Sequence, residues 1–156
     1  MTVPTAQPFP SVAELLPHDP PMILIDEVCA WTEPIVRCRV KLREGSPFVR
    51  GGRAHAVVTL EYMAQTVGAY VGLWSRKRGE PIRIGYLLGA RDVALEVDAL
   101  DVGDEIIIEV QRVWGNDELG SFECKVERAG VPIASATLNV YRGDVDDDDE
   151  RAEGER

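Results

Sequence analysis

The stretch AVVTLEYMAQTVGAYVGLWS, residues 56–75, carries a single charge, Glu61. Leu60, Ala64, Val67, Val71 and Trp74 recur at helical spacing on one side of it, and Val58, Tyr62, Ala69, Tyr70 and Leu73 on the other. A helix that is apolar nearly all round is buried, in a domain core or in a membrane. Glu61, Gln65, Gly68 and Gly72 fall at i, i+4, i+7 and i+11 and form one narrow stripe. That stripe is small or polar, so a backbone or a ligand can lie close against it. About 20 residues would just cross a bilayer. The acid, the glutamine and the two threonines oppose a crossing, and the flanks read as strands. The expectation is a core helix with no membrane span, wrapped by a curved sheet.

Upstream, SVAELL (11–16) reads as one short helical turn, capped by Ser11 with Glu14 three residues on. PHDPP (17–21) forces an extended path, because each proline restricts its predecessor. MILIDEVCAW (22–31) reads as a strand, and PIVRCRVKL (34–42) alternates as its hairpin partner. REGSPFVRGGRAH (43–55) is a long connection of the kind that often carries function. Downstream, Arg76, Lys77 and Arg78 followed by Gly79 end the helix. Residues 82–97 read as one long strand, with Gly85 and Gly89 as bulges or close-approach points. Residues 105–114, 119–128 and 133–141 follow as strands joined by short turns. The last four strands are expected to form an antiparallel meander. The order ββαββββ makes this an α+β domain in which a sheet curls around one helix, which describes the hot-dog fold.

Composition narrows the function. The formal net charge is −10, of which residues 143–156 (GDVDDDDERAEGER) hold −6. This divides the chain into an extended arm (1–10), the domain (11–142) and an acidic, disordered tail (143–156). The body is not basic enough for nucleic acid. Cys29, Cys38 and Cys124 have no metal-ligand spacing, and Cys29 and Cys38 are expected as small core residues. No basic segment precedes an apolar run at the start, so no secretory signal is read and a reducing cytoplasm is the default. Nothing calls for a metal or an organic cofactor.

LLPHDPPMILIDEV resembles the opening of the 3-hydroxyacyl-(acyl carrier protein) dehydratases, and SPFVRGGRAHAVVTLEYMAQ resembles their active-site loop and central helix. IGYLLGARD and LGSFECKVERAGVPIASATLNVY are most similar to the branch found in aryl-polyene biosynthesis. The resemblance covers roughly residues 12–142. It implies a homodimer, or a heterodimer with a related hot-dog subunit, with sites at the dimer interface. The substrate it implies is an acyl thioester on acyl carrier protein or coenzyme A.

Dehydrating a 3-hydroxyacyl thioester needs a base for the proton beside the carbonyl, an acid for the departing hydroxyl and donors for the thioester oxygen. Glu61 matches the family's helix acid. The family's basic His stands fourteen or fifteen residues earlier, where this chain has Pro47 and Ser46. Of the two histidines, His55 lies at the helix entrance and reads equally as a displaced base or a backbone cap. His18 matches an early family His and reads as a structural anchor or as a third candidate. The amides of Ala56 and Val57 are the candidate oxygen donors. Gly51 and Gly52 either let the loop approach a ligand or make a plain tight turn. Arg50, Arg53 and the run Arg76, Lys77 and Arg78 are candidate contacts for an acidic carrier. Three functions compete. The first is a dehydratase using Glu61 and a substituted His base. The second, favoured by Ser46, is a non-catalytic partner of an active paralogue. The third is a thioesterase in which Glu61 activates water and Gln65 or the helix amides position the thioester.

Overall fold

The computed structural model describes residues 9–143. Most of the expected arm, and all of the expected tail but Gly143, lie outside the described residues. The chain runs α1 (Val12–Leu15), β1 (Glu27–Thr32), β2 (Ile35–Lys41), β3 (Arg53–His55), α2 (Val58–Lys77), β4 (Gly85–Leu95), β5 (Ala99–Asp101), β6 (Glu105–Gly115), β7 (Leu119–Arg128) and β8 (Val131–Arg142). Six strands form one sheet in the order β1-β2-β6-β7-β8-β4, and β3 pairs with β5 in a small second sheet. The pairings of the large sheet are antiparallel.

The sheet buries α2. Alternate residues of β2 and β6 point inward as cross-strand pairs, Val36 with Val110, Cys38 with Ile108 and Val40 with Ile106, and all six are buried. Tyr62, Met63, Val67, Tyr70 and Leu73 of α2 belong to the same core. Burial of a side chain of this size contributes roughly 1.5–3 kcal/mol. The outward positions carry charge instead, with Arg37 paired to Glu109 at 2.9 Å and Arg39 to Glu27 at 3.0 Å. Among the described residues, no helix is long and apolar enough to cross a membrane.

Four expectations are corrected. First, β6, β7 and β8 form a meander, but β4 pairs with β8 rather than with β6. The segment between β4 and β6 is too long for a hairpin turn and holds β5, which is committed to β3. Second, the first strand begins at Glu27, not Met22. Leu24 and Ile25 give their N–H groups to the Gln65 side chain instead of to a neighbouring strand. Third, the long strand starts at Gly85 and the helix at Val58; Ala56, just after β3, gives its N–H to the Asp98 carbonyl just before β5 at 2.9 Å and so continues the β3–β5 pairing. Fourth, Cys29 is exposed while Cys38 and Cys124 are buried. A bulge between Val28 and Ala30 carries Cys29 out of the alternation. Burial pushes the Cys38 and Cys124 thiols up to about 12.

The small stripe on α2 is where another backbone comes close. A Cβ on Gly72 would lie 2.4 Å from the Leu15 carbonyl oxygen, and one on Gly68 would lie 2.9 Å from Leu16 Cδ2. α1 and the residue after it therefore rest on the two glycines. Helix α2 ends in a Schellman motif: Glu80 N–H donates to Ser75 O at 2.8 Å and Gly79 N–H to Arg76 O at 3.2 Å. Gly79 takes φ 70°, the left-handed conformation this motif requires.

Candidate functional site

A cavity of about 210 Å³ runs beside α2. One wall is the α2 face that begins with Glu61 and continues through Ala64, Gly68 and Val71 to Ser75. The opposite wall comes from the start of β4, Gly85 to Leu87, and the end of β8, Val140 to Arg142. Pro17 and His18, on the segment joining α1 to β1, form part of the rim. The fifteen residues from Glu61 to Ser75 span about 21 Å along a helix axis. The middle of the cavity is apolar and its two ends are polar.

Glu61 stands at the N-terminal end of this face, half-buried. Gln65, one turn on and 1% exposed, donates from Nε2 to Glu61 Oε1 at 3.1 Å. The same nitrogen donates to the Met22 carbonyl at 2.7 Å. Gln65 Oε1 accepts from the N–H groups of Leu24 and Ile25 at 2.8 and 3.4 Å. The amide is thus fixed by backbone on one side and fixes the carboxylate on the other. His18 is exposed at the rim of the same cavity. The structure therefore brings Glu61, Gln65 and His18 to one space.

The other candidates stand elsewhere. His55 is exposed in β3, and its Nδ1 accepts the Val57 N–H at 3.0 Å, so it caps the start of α2. The amides of Ala56 and Val57 are thus both engaged within the chain, one by Asp98 and one by His55. Ser46 lies in the loop before β3, where its carbonyl accepts the Val49 N–H at 3.2 Å. Gly51 and Gly52 have φ 59° and 74° and form a tight turn closed by bonds between Arg50 and Arg53. Arg53 pairs with Asp101 at 3.1 Å. At the C-terminal end of α2, Arg76 faces Glu14 at 3.7 Å, and Arg78 faces Asp117 at 3.9 Å. Lys77 Nζ lies over the rings of Trp31 and Trp74, 5.7 and 5.0 Å from their centres.

Several residues of this region were not singled out from the sequence. Ser75 continues the Gly68–Gly72 stripe by one more step, a signal that extending the stripe would have caught. Arg142 joins it only through the β4–β8 pairing, which local spacing does not reveal. Glu33, in the β1–β2 turn, accepts from the hydroxyl of Tyr70 and from the indoles of Trp31 and Trp74. Burial, reinforced by this bond to Glu33, pushes the Tyr70 hydroxyl up to about 12.

One buried helix, a sheet curled round it and an apolar cavity along its face define a hot-dog-fold protein. A family model described as ApeP-like, ApeP dehydratase, matches residues 10–152, and the chain belongs to that family. The dehydratase heterocomplex ApeI:P from Xenorhabdus doucetiae is similar with a TM-score of 0.84 and 29% identity, over 88% of this chain and 93% of that one. The 3-hydroxyacyl-(acyl-carrier-protein) dehydratase FabZ of Streptococcus sanguinis is 26% identical over 138 residues, 85% of this chain and 96% of that protein. A hypothetical thioesterase protein from Streptococcus pneumoniae, solved with coenzyme A, shares the fold with a TM-score of 0.57 at 16% identity, over 75% of this chain and 84% of its own.

Proposed function

We propose that the chain is a 3-hydroxyacyl thioester dehydratase of fatty-acid- or polyene-type synthesis, with Glu61 and His18 as its acid and base. The observation that carries this reading is that both side chains line one apolar cavity. In the forward step the His18 imidazole takes the proton from the carbon beside the thioester carbonyl. The carbon–oxygen bond of the 3-hydroxyl breaks, Glu61 gives that oxygen a proton, and water leaves as the double bond forms. Proton exchange with solvent restores both groups. Gln65 positions Glu61 rather than touching substrate. The acyl group, on acyl carrier protein or coenzyme A, enters past the exposed His18 rim. On this reading the run Arg76, Lys77 and Arg78, at the opposite end of α2, terminates the helix and does not receive the carrier.

The second reading is a non-catalytic subunit that completes a related, active chain. Ser46 in the position of the family's usual His favours it, and so does the similarity to a dehydratase heterocomplex. Hydration of crotonyl coenzyme A by the purified chain separates the two. On the first reading Glu61→Gln and His18→Ala each lower the rate by about a hundredfold or more, while His55→Ala leaves it within a few-fold. A silent chain whose homologous partner is active without Glu61 overturns the first reading in favour of the second. Release of free coenzyme A in place of hydration would identify a thioesterase.

A further inference from the structure

The far end of the cavity is built unlike its middle. Ser75 is 1% exposed and lines the cavity, and its Oγ has no hydrogen-bond partner. Arg142 lines the same end, and its Nε is likewise buried without one. The guanidinium is held from the other side, where Nη2 donates to Glu80 Oε2 at 2.7 Å. Glu80 is in turn fixed by the Schellman motif through its own N–H bond to the Ser75 carbonyl. The side chain of Arg142 holds its Glu80 partner's carboxyl below the usual carboxylate range. The sequence of the helix end thus places a hydroxyl and a guanidinium N–H at the far end of an apolar cavity and leaves both unspent.

Buried polar atoms are almost always satisfied, and each one left over in a folded protein calls for an explanation. A hydrocarbon chain ending in a methyl group would leave both donors unmet. An oxygen at the chain terminus would meet them. Arg83 lines the same cavity, so two guanidinium groups stand against the one carboxylate of Glu80, and the charge balance there admits a neutral or an anionic oxygen.

We propose that Ser75 and Arg142 form a binding site for an oxygen, a hydroxyl being the simplest case, at the far end of the acyl chain. This rests on the acyl-thioester reading above and adds a specificity to it. A site built to hydrogen-bond a substrate oxygen discriminates strongly against the analogue that lacks it.

The test uses the full chain and saturated acyl coenzyme A thioesters, which have no 3-hydroxyl to eliminate. Calorimetric titration compares methyl-terminated and ω-hydroxy forms along a ladder from octanoyl to hexadecanoyl. At the length that reaches Ser75, the ω-hydroxy form is expected to bind about tenfold more tightly, the effect of one well-made hydrogen bond. Ser75→Ala should remove that preference, leave the methyl-terminated affinity unchanged and not lower the melting temperature, because the hydroxyl it deletes has no partner to lose. Equal binding of the two forms at every length overturns the site while leaving the dehydratase reading intact. So does a Ser75→Ala variant that weakens both forms alike, since that would mark a contact to the pantetheine arm or a shaped wall. Failure of both forms to bind at every length overturns the thioester reading, and this site with it.

Discussion

Gln65 is the residue on which site and fold meet. Its amide bridges the irregular segment before β1 to helix α2 and holds Glu61 in the cavity. A leucine of similar size would remove every one of these bonds. It would leave the Met22 carbonyl and the Leu24 N–H without their partner in partly buried surroundings, where each such loss costs about 1–3 kcal/mol. Gln65→Leu is therefore expected to lower unfolding free energy by about 2–4 kcal/mol in urea titration. It should also lower the rate of crotonyl thioester hydration without moving KM much, because Glu61 loses its orientation and the cavity keeps its shape. Unchanged stability would show that the 22–25 segment is held by something else. The helical i, i+4 relation of Glu61 and Gln65 could be read directly from the sequence. The far partners could not: Met22 and Leu24 lie some forty residues away, and the spacing of 22–31 imitates a strand. Hydrophobic alternation reports which side chains turn inward, not where the backbone bonds go.

At the scale of elements, the two glycines of α2 separate two kinds of crowding. Glycine in a helix interior costs about 1 kcal/mol relative to alanine, so either replacement gains that amount before contacts are counted. At Gly68 the new Cβ would meet the far end of the Leu16 side chain, which can turn aside. At Gly72 it would meet the carbonyl oxygen, carbon and Cα of Leu15, all backbone. Gly68→Ala is accordingly expected to be neutral or mildly stabilising. Gly72→Ala should destabilise by about 1–3 kcal/mol as α1 is pushed off its seat. Thermal unfolding of the two variants side by side checks the difference, and equal effects would contradict the close packing of α1. The stripe that predicts this approach was legible, because small residues at helical spacing have a direct physical meaning. The position of β4 was not. Turn length usually joins consecutive strands, but here β5 pairs with β3 and carries the chain across, and β4 reaches β8 by a pairing between segments about fifty residues apart.

At the scale of the whole molecule, the six-stranded sheet has two unlike edges. One is β1, six residues long. The other is β4, eleven residues long, with Leu87 49%, Leu88 62% and Val93 44% exposed. A long edge strand that shows apolar side chains invites another strand, and proteins that work as monomers usually blunt it. The cavity lies against this same edge, since Gly85, Tyr86 and Leu87 form part of its wall. A second chain added along β4 would bury the exposed leucines and thicken that wall at once. The expected assembly is a dimer through β4, formed with a second copy or with a related hot-dog chain. Sedimentation equilibrium of the purified protein should then report about twice 17.2 kDa, or the mass of a mixed pair after co-expression with a homologue. Leu88→Lys together with Val93→Lys places two charges on the shared edge and should return the protein to single-chain mass without loss of helix signal in circular dichroism. A pair formed through β4 would include the cavity wall in its interface, so hydration activity should fall as the pair dissociates on dilution and recover on concentration. A wild-type chain that stays single at every concentration, alone and with its homologue, would refute this assembly and require the cavity to work with its β4 side open.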